Sequence, residues 1–246
     1  MRRHRIYHPE PLRTGMKVVL GSNAARHISR VLRLTPGDEI FLFNGDGNEY
    51  TARLETSSAA KTEVTVGGAR SIDCESPLQL LLLQGICRGQ KMDLVIQKAT
   101  ELGVTSIQPL SCERSVVRLS PERAQRRREH WQGIAVGAAE QCGRGVVPAV
   151  GTAKAFEQGL QDLPDDVVGI LLDPEGEQSF RDLPQGPGTL ALLAGPEGGL
   201  SPAERKAAAG AGFRRVRLGP RILRTETAAL VALSILQYLN GDLDRS

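Results

Sequence analysis

From residue 78 onward the chain carries five apolar runs, LQLLLLQGI (78–86), VTSIQPL (104–110), VVGILL (167–172), TLALLA (189–194) and RRVRL (214–218), with amphipathic stretches between them. Runs that are apolar throughout, rather than alternating, are strands covered on both faces, and helices placed between them supply the cover. The pattern therefore predicts an α/β domain built on a mostly parallel sheet. One intervening stretch, KMDLVIQKATELG, sets Met92, Val95, Ile96, Ala99 and Leu102 at helical spacing, with Gly103 as its stop. Another opens on Ser120-Pro121, a cap followed by proline in the first turn, and carries Arg126, Arg127 and Arg128 ahead of Trp131.

Before residue 78 the period is different. MKVVL (16–20), EIFLFN (39–44), NEYTARL (48–54) and TEVTV (62–66) are short β-rich segments, with Gly45-Asp46-Gly47 as a hairpin turn and one helix at 24–33. This half reads as a small β-barrel, and the polar SIDCESP (71–77) as a linker. The division expected from this texture is one domain at 1–73 and a second at 74–246.

Composition narrows the function classes. The 246 residues, 40% hydrophobic and 24% charged, are ordinary globular material sufficient for one large domain, or a large and a small one. No apolar run reaches the roughly 18–20 residues that span a bilayer, and MRRHRIYHPEP lacks the apolar core of a leader, so a cytoplasmic protein without a membrane partner is expected. Cys74, Cys87, Cys112 and Cys142 form no CxxC pair and read as reduced packing thiols. His4, His8, His27 and His130 have no partners at metal-ligand spacing, so no metal is expected. The formal charge is only +3, but residues 1–33 hold eight Lys or Arg against Glu10, residues 114–128 six against Glu122, and residues 213–224 five against no acid. Each window alone is compatible with a solvated helix face. Together they point to a polyanion, a nucleic acid above all.

Two loops carry the chemistry. LLAGPEGGLSPAE (192–204) runs from a strand through three glycines and a proline to a helix start. It is not GxGxxG, and the chain has no GxxxxGK[ST], which argues against a nucleoside triphosphate. Glu197 suits a neutral or cationic ligand, and S-adenosylmethionine is a sulfonium cation without phosphate. At this point a ligand cradle and a tight glycine-rich turn both remain open. The second loop, LGPRILRTETAALVAL (218–233), offers Thr225 as a helix cap. A cap does not account for Arg221, Arg224 and Glu226 around the same turn, where clustered charge suggests a site. A solvent-exposed salt-bridge cluster is the alternative.

GPEGG and LGPRILRTETA, taken with KMDLVIQKATELGV, the Glu113-Arg114 of SCERSVV, AEQCGR (139–144) and the opening RIYHPEPL, resemble the RsmE family of small-subunit (16S) ribosomal RNA uridine-N3 methyltransferases, in the SPOUT superfamily. The resemblance runs over nearly the whole chain. It implies a PUA-like barrel at 1–73 and, at 74–246, a SPOUT-type α/β domain with a mostly parallel sheet and a trefoil knot, a rare departure from unthreaded connections. It implies S-adenosyl-L-methionine as cofactor, bound by Leu172, Gly195, Pro196, Glu197, Gly198, Gly199, Leu218, Gly219, Ile222, Leu223 and Thr227, with Asp173 beside them. It also implies a homodimer and, as substrate, small-subunit ribosomal RNA in the assembled subunit. Methylating uridine N3 requires loss of its proton and stabilisation of charge on O2 and O4. Arg224 is the first candidate donor, with Arg114 and then Arg144 behind it, and Glu226 or a water it orients is the candidate proton acceptor. Arg2, Arg3, Arg5, Arg26, Arg30, Arg33, Arg126, Arg127, Arg128 and Arg144 are the candidate RNA contacts.

Overall fold

The computed structural model describes residues 4–117, 119–183 and 188–244, and the candidate RNA contacts Arg2 and Arg3 lie outside the described residues. The chain divides into two units, Met1–Glu75 with Ala139–Val147, and Ser76–Ala138 with Pro148–Ser246.

In the first unit β1 (Arg5–Tyr7), β2 (Lys17–Val19), β3 (Glu39–Phe43), β4 (Asn48–Ser57) and β5 (Thr62–Ser71) form one sheet in the order β1-β3-β4-β5-β2. All its ladders are antiparallel except β1 with β3. Alternation places Ile40, Leu42, Ala52, Leu54, Val64 and Val66 in one core, and Ile6, Val18 and Ile28 join them. The Gly45–Gly47 turn is fixed by Asp46, whose carboxylate accepts from Asn48 N at 2.8 Å and from the Tyr50 hydroxyl at 2.6 Å. The single helix expected at 24–33 is instead α1 (Ser22–Arg26) continued by a π-helical turn, His27–Leu32. That turn ends at Arg33, whose φ of 54° is left-handed.

A buried charge cluster ties this unit together. Arg5 Nε lies 2.6 Å from Glu49 Oε1, with side-chain exposures of 7% and 2%, and Arg70 Nε donates to the other carboxylate oxygen at 2.7 Å. The rest of the Arg5 fork donates to the carbonyls of Ala139 at 2.9 Å and Arg144 at 3.0 Å. Arg144 is itself buried, with Nε and Nη2 on Glu75 Oε2 at 3.0 and 2.7 Å. Arg5 and Arg144 are therefore not surface phosphate contacts, contrary to the sequence expectation. Their guanidinium groups are committed to internal acceptors.

The second unit holds β6 (Gln79–Gly85), α2 (Gln90–Glu101), β7 (Ser106–Ser111), α3 (Pro121–Cys142, whose last turn belongs to the first unit), β8 (Ala149–Val150), β9 (Lys154–Ala155), α4 (Phe156–Gln161), β10 (Val168–Leu172), β11 (Thr189–Ala194), α5 (Pro202–Gly210), β12 (Arg214–Val216) and α6 (Thr225–Asn240). The sheet order is β12-β10-β11-β6-β7-β8, with β9 also on β7, and every ladder is parallel. All five apolar runs are strands of this sheet. The central strands β6 and β11 are buried almost along their length because helices lie on the sheet, and α2 contributes Met92, Val95, Ile96 and Ala99. Among the described residues no helix is long and apolar enough to cross a membrane.

Burial works to raise the Glu49 carboxyl, but the hydrogen bonds and charges of Arg70 and Arg5 outweigh it and hold the group below the usual 4.5. A carboxyl depressed in the folded state stabilises the fold above its unfolded value, and that contribution is lost as pH falls through the folded value. Native stability in urea should therefore drop as pH falls below 4.5. Glu49→Ala, which strands Arg5 in the interior, should cost about 3–5 kcal/mol at neutral pH and flatten that acid dependence. A variant as stable as the native protein at neutral pH would show that the cluster carries no such weight.

Candidate functional site

A cavity of about 650 Å³ opens at the carboxyl ends of β10, β11 and β12, where parallel α/β sheets bind ligands. Its wall is made by the loop after β11 (Gly195–Leu200), the loop after β12 (Arg217–Arg224), the end of β10 (Leu172–Pro174), Arg114, and Lys91 on the first turn of α2.

Close packing sets the first of these loops. A Cβ on Gly85, the last residue of β6, would lie 2.6 Å from both N and Cδ of Pro196, so the loop rests directly on the strand end. A Cβ on Gly198 would come within 2.9 Å of the Arg114 carbonyl. Ser201 and Glu204 form a capping box at the start of α5, and Glu204, only 5% exposed, also accepts from Glu113 N at 2.7 Å. That bond carries the 112–115 segment, and Arg114 with it, to the cavity.

The second loop is held less by its own hydrogen bonds. Among the described residues the amides of Leu218, Gly219, Ile222 and Leu223 find no acceptor in the protein, and neither does that of Gly198. Ile222 is 87% exposed. The loop ends at Arg224, an extended N-cap of α6 that makes no side-chain cap bond. Thr225 does not cap the helix as the sequence suggested. Its hydroxyl donates instead to the Gly195 carbonyl at 2.5 Å.

Charge around the wall is mixed. Lys91, Arg114, Arg205, Arg217, Arg221 and Arg224 face Asp173 and Glu197. Asp173 is buried and accepts from Arg215 Nε at 2.8 Å and Glu175 N at 2.9 Å. Burial opposes charge on Glu197, but the Arg88 N–H at 3.0 Å and the Lys91 ammonium at 3.5 Å keep its carboxyl below its ordinary value. Lys91 Nζ also lies 3.7 Å from Glu226 Oε2, a buried oxygen with no hydrogen-bond partner among the described residues. Burial pushes the Cys87 thiol up to about 11 and the Cys112 thiol up to about 12.

Of the residues named from sequence, Leu172, Gly195, Pro196, Glu197, Gly198, Gly199, Leu218, Gly219, Ile222 and Leu223 all border the cavity, as do Arg114 and Arg224. Thr227 does not. At 100° per residue Thr225 and Ala228 face the cavity, while Thr227 is turned to solvent and is exposed. Glu226 stands behind Lys91 rather than on the wall. Sequence reasoning passed over Lys91. It follows a strand end by a few residues on the binding side of the sheet, and that position was the available signal. Arg26, Arg30 and Arg33 are exposed on the first unit, and Arg126 and Arg127 on α3 of the second. Arg128 is half-buried, with Nε on the Val150 carbonyl at 3.3 Å, and straps its own helix down.

The chain matches two family models, an RNA methyltransferase domain over residues 74–237 and an RNA methyltransferase PUA domain over residues 20–66. It is 37% identical over 229 residues to the ribosomal RNA small subunit methyltransferase E of Bacillus subtilis, covering 88% of this chain and 89% of that one. Two solved structures are similar throughout. A Legionella pneumophila protein in complex with SAM shares 39% identity at a TM-score of 0.95, over 99% of this chain and 100% of that one. Ribosomal RNA small subunit methyltransferase E of Neisseria gonorrhoeae, bound to S-adenosyl methionine, shares 39% identity at 0.91, over 98% and 100%. With both units matched and the relatives covered nearly end to end, the chain belongs to the ribosomal RNA small subunit methyltransferase E (RsmE) family of RNA methyltransferases.

Proposed function

We propose that this protein transfers a methyl group from S-adenosylmethionine to N3 of a uridine in small-subunit (16S) ribosomal RNA, that it acts on the assembled subunit in the cytoplasm, and that it works as a homodimer. The observation that carries the reading is the cavity itself, walled by two loops whose backbone amides at Gly198, Leu218, Gly219, Ile222 and Leu223 find no acceptor among the described residues. Such a cradle suits the edge of an adenine, and Leu172, Leu218 and Leu223 suit its faces. The volume is ample for a nucleoside with an amino-acid arm, and among the described residues the wall carries no P-loop lysine and serine pair for a triphosphate.

When bound, the cofactor supplies an electrophilic methyl group on its sulfonium. The protein must then hold the uridine and manage one proton. Arg224 and Arg114, both on the wall, are placed to donate to the base oxygens O2 and O4, where negative charge develops as N3 loses its proton. Their guanidinium groups stay protonated and serve as donors, not bases. Glu226, behind Lys91, is the proton acceptor in this reading, through a water, because its buried oxygen Oε2 has no hydrogen-bond partner among the described residues. Phosphate contact falls to Arg26, Arg30 and Arg33 on one unit and to Arg126 and Arg127 on the other, each set exposed on its own surface. The exposed Val231 and Tyr238 of α6 support a second copy as partner.

Calorimetric titration with S-adenosylmethionine should show binding to the native protein and none to Gly198→Arg, whose side chain would have to displace the Arg114 backbone. Circular dichroism must show that variant folded. A folded variant that binds normally would move the cofactor elsewhere.

Glu226→Gln should slow single-turnover methylation of small subunits by about 100-fold or more, with cofactor affinity nearly unchanged. Full turnover would remove Glu226 from the chemistry.

For RNA, Arg126→Ala with Arg127→Ala should lower the slope of log affinity against log salt by about 1.5, the loss of two phosphate contacts. An unchanged slope would take α3 out of the interface.

A further inference from the structure

Two links join the first turn of α6 to the loop after β11. One is buried and neutral. Thr225 donates its hydroxyl to the Gly195 carbonyl at 2.5 Å, and the side-chain amide of Gln84 donates to the Thr225 hydroxyl at 3.2 Å. The same amide reaches the carbonyls of Gly85 at 3.0 Å and Gly195 at 3.4 Å. The other link is ionic, from Glu226 through Lys91 to Glu197.

The neutral link is unusual on both sides. Gln84 is wholly buried in a central strand of an apolar sheet, where an amide is costly unless bonded, and its Oε1 has no partner among the described residues. Thr225 is the first residue of α6 and not its N-cap, and its hydroxyl bonds across to the neighbouring loop. Local helix stability explains neither residue. The Gly195 carbonyl is drawn into this clamp, and the next residue, Pro196, has no N–H, so the peptide joining them offers a ligand nothing. Arg224 directly precedes Thr225. Whatever moves Gly195 therefore moves the arginine.

We propose that Thr225 and Gln84 are positioning residues that hold the Gly195–Gly199 loop and Arg224 in one register. The proposal rests on the methyltransferase reading above. It assigns the hydroxyl at 225 to alignment between the cofactor loop and the donor arginine, not to capping the helix and not to a ligand contact.

Thr225→Val removes the hydroxyl and keeps the shape, whereas Thr225→Ser keeps the hydroxyl. The full-length proteins are compared by calorimetry with S-adenosylmethionine and by single-turnover methyl transfer to small ribosomal subunits at saturating cofactor. Thr225→Val should weaken cofactor binding about tenfold, and should slow transfer at saturation by about a further tenfold because Arg224 is displaced. Thr225→Ser should stay within about threefold of native in both. Gln84→Met should show the same two losses, smaller, and the double variant should lose no more than Thr225→Val alone, since both act through one clamp. A purely structural role would lower the melting temperature without the loss at saturating cofactor and without rescue by serine. Native affinity and rate in folded Thr225→Val, or equal losses in the Val and Ser variants, would overturn the clamp. Should Thr225→Val fail to fold, native behaviour of Gln84→Met would overturn it instead. A native protein that neither binds the cofactor nor methylates would overturn the methyltransferase reading and the clamp together. A native protein that does both, with variants that match it, would overturn the clamp alone.

Discussion

The contact on which the site depends is the seating of Pro196 on the end of β6, which only a residue without a Cβ at position 85 permits. It fixes the glycine loop to the centre of the sheet instead of leaving it to span solvent. Each neighbouring piece of the cavity is then placed against that loop. Gly198 packs on the Arg114 backbone, Glu197 takes the Arg88 amide, and Gly195 takes the Thr225 hydroxyl. Three segments distant in sequence, 85–88, 114 and 225, thus share one reference point. A wall assembled in this way lowers the ordering cost that a ligand would otherwise bear.

The arginines show how little charge clustering says about role. Windows dense in Arg suggest phosphate contacts, but the structure sorts their arginines by the acceptors within reach. Arg5 and Arg144 each lie beside a carboxylate, Arg5 also beside carbonyls at the end of α3, and both are buried. Arg215 is held by Asp173, and Arg128 by a carbonyl of β8. Arg127 and Arg126, one and two residues from Arg128, have no such acceptor among the described residues and are exposed. Nothing in RRR separates these three. The difference lies in which side of α3 meets β8, a tertiary fact.

Legibility follows the same line. The central strands could be read because burial on both faces makes their sequence apolar throughout, and α2 because one face of it packs on the sheet. β1, β8 and β9, two or three residues each, are too short to carry a period. GPEGG alone leaves a cradle and a tight turn both open; the family resemblance names eleven cofactor residues, and ten of them border the cavity. Thr227 was misplaced by reading the motif as a string, not as a helix with sides. Lys91 was missed because a single lysine opening an amphipathic helix looks like any solvated end, and its two carboxylate neighbours come from residues 197 and 226.

The groups collected at the cavity also limit its chemistry. Cys87 is the thiol nearest the clamp, 3.9 Å from the Thr225 hydroxyl, and burial holds it protonated well above neutral pH. Cys112 is pushed higher still. A thiolate is the nucleophilic form of cysteine, so neither residue is suited to forming a covalent intermediate. What remains at the wall is guanidinium, ammonium, carboxylate and backbone amide. Such a set can orient two reactants, accept one proton and stabilise developing negative charge. Direct transfer between two bound partners asks for those three services, and in the proposed reaction their precision depends on how firmly Arg224 is held to the loop that begins at Gly195.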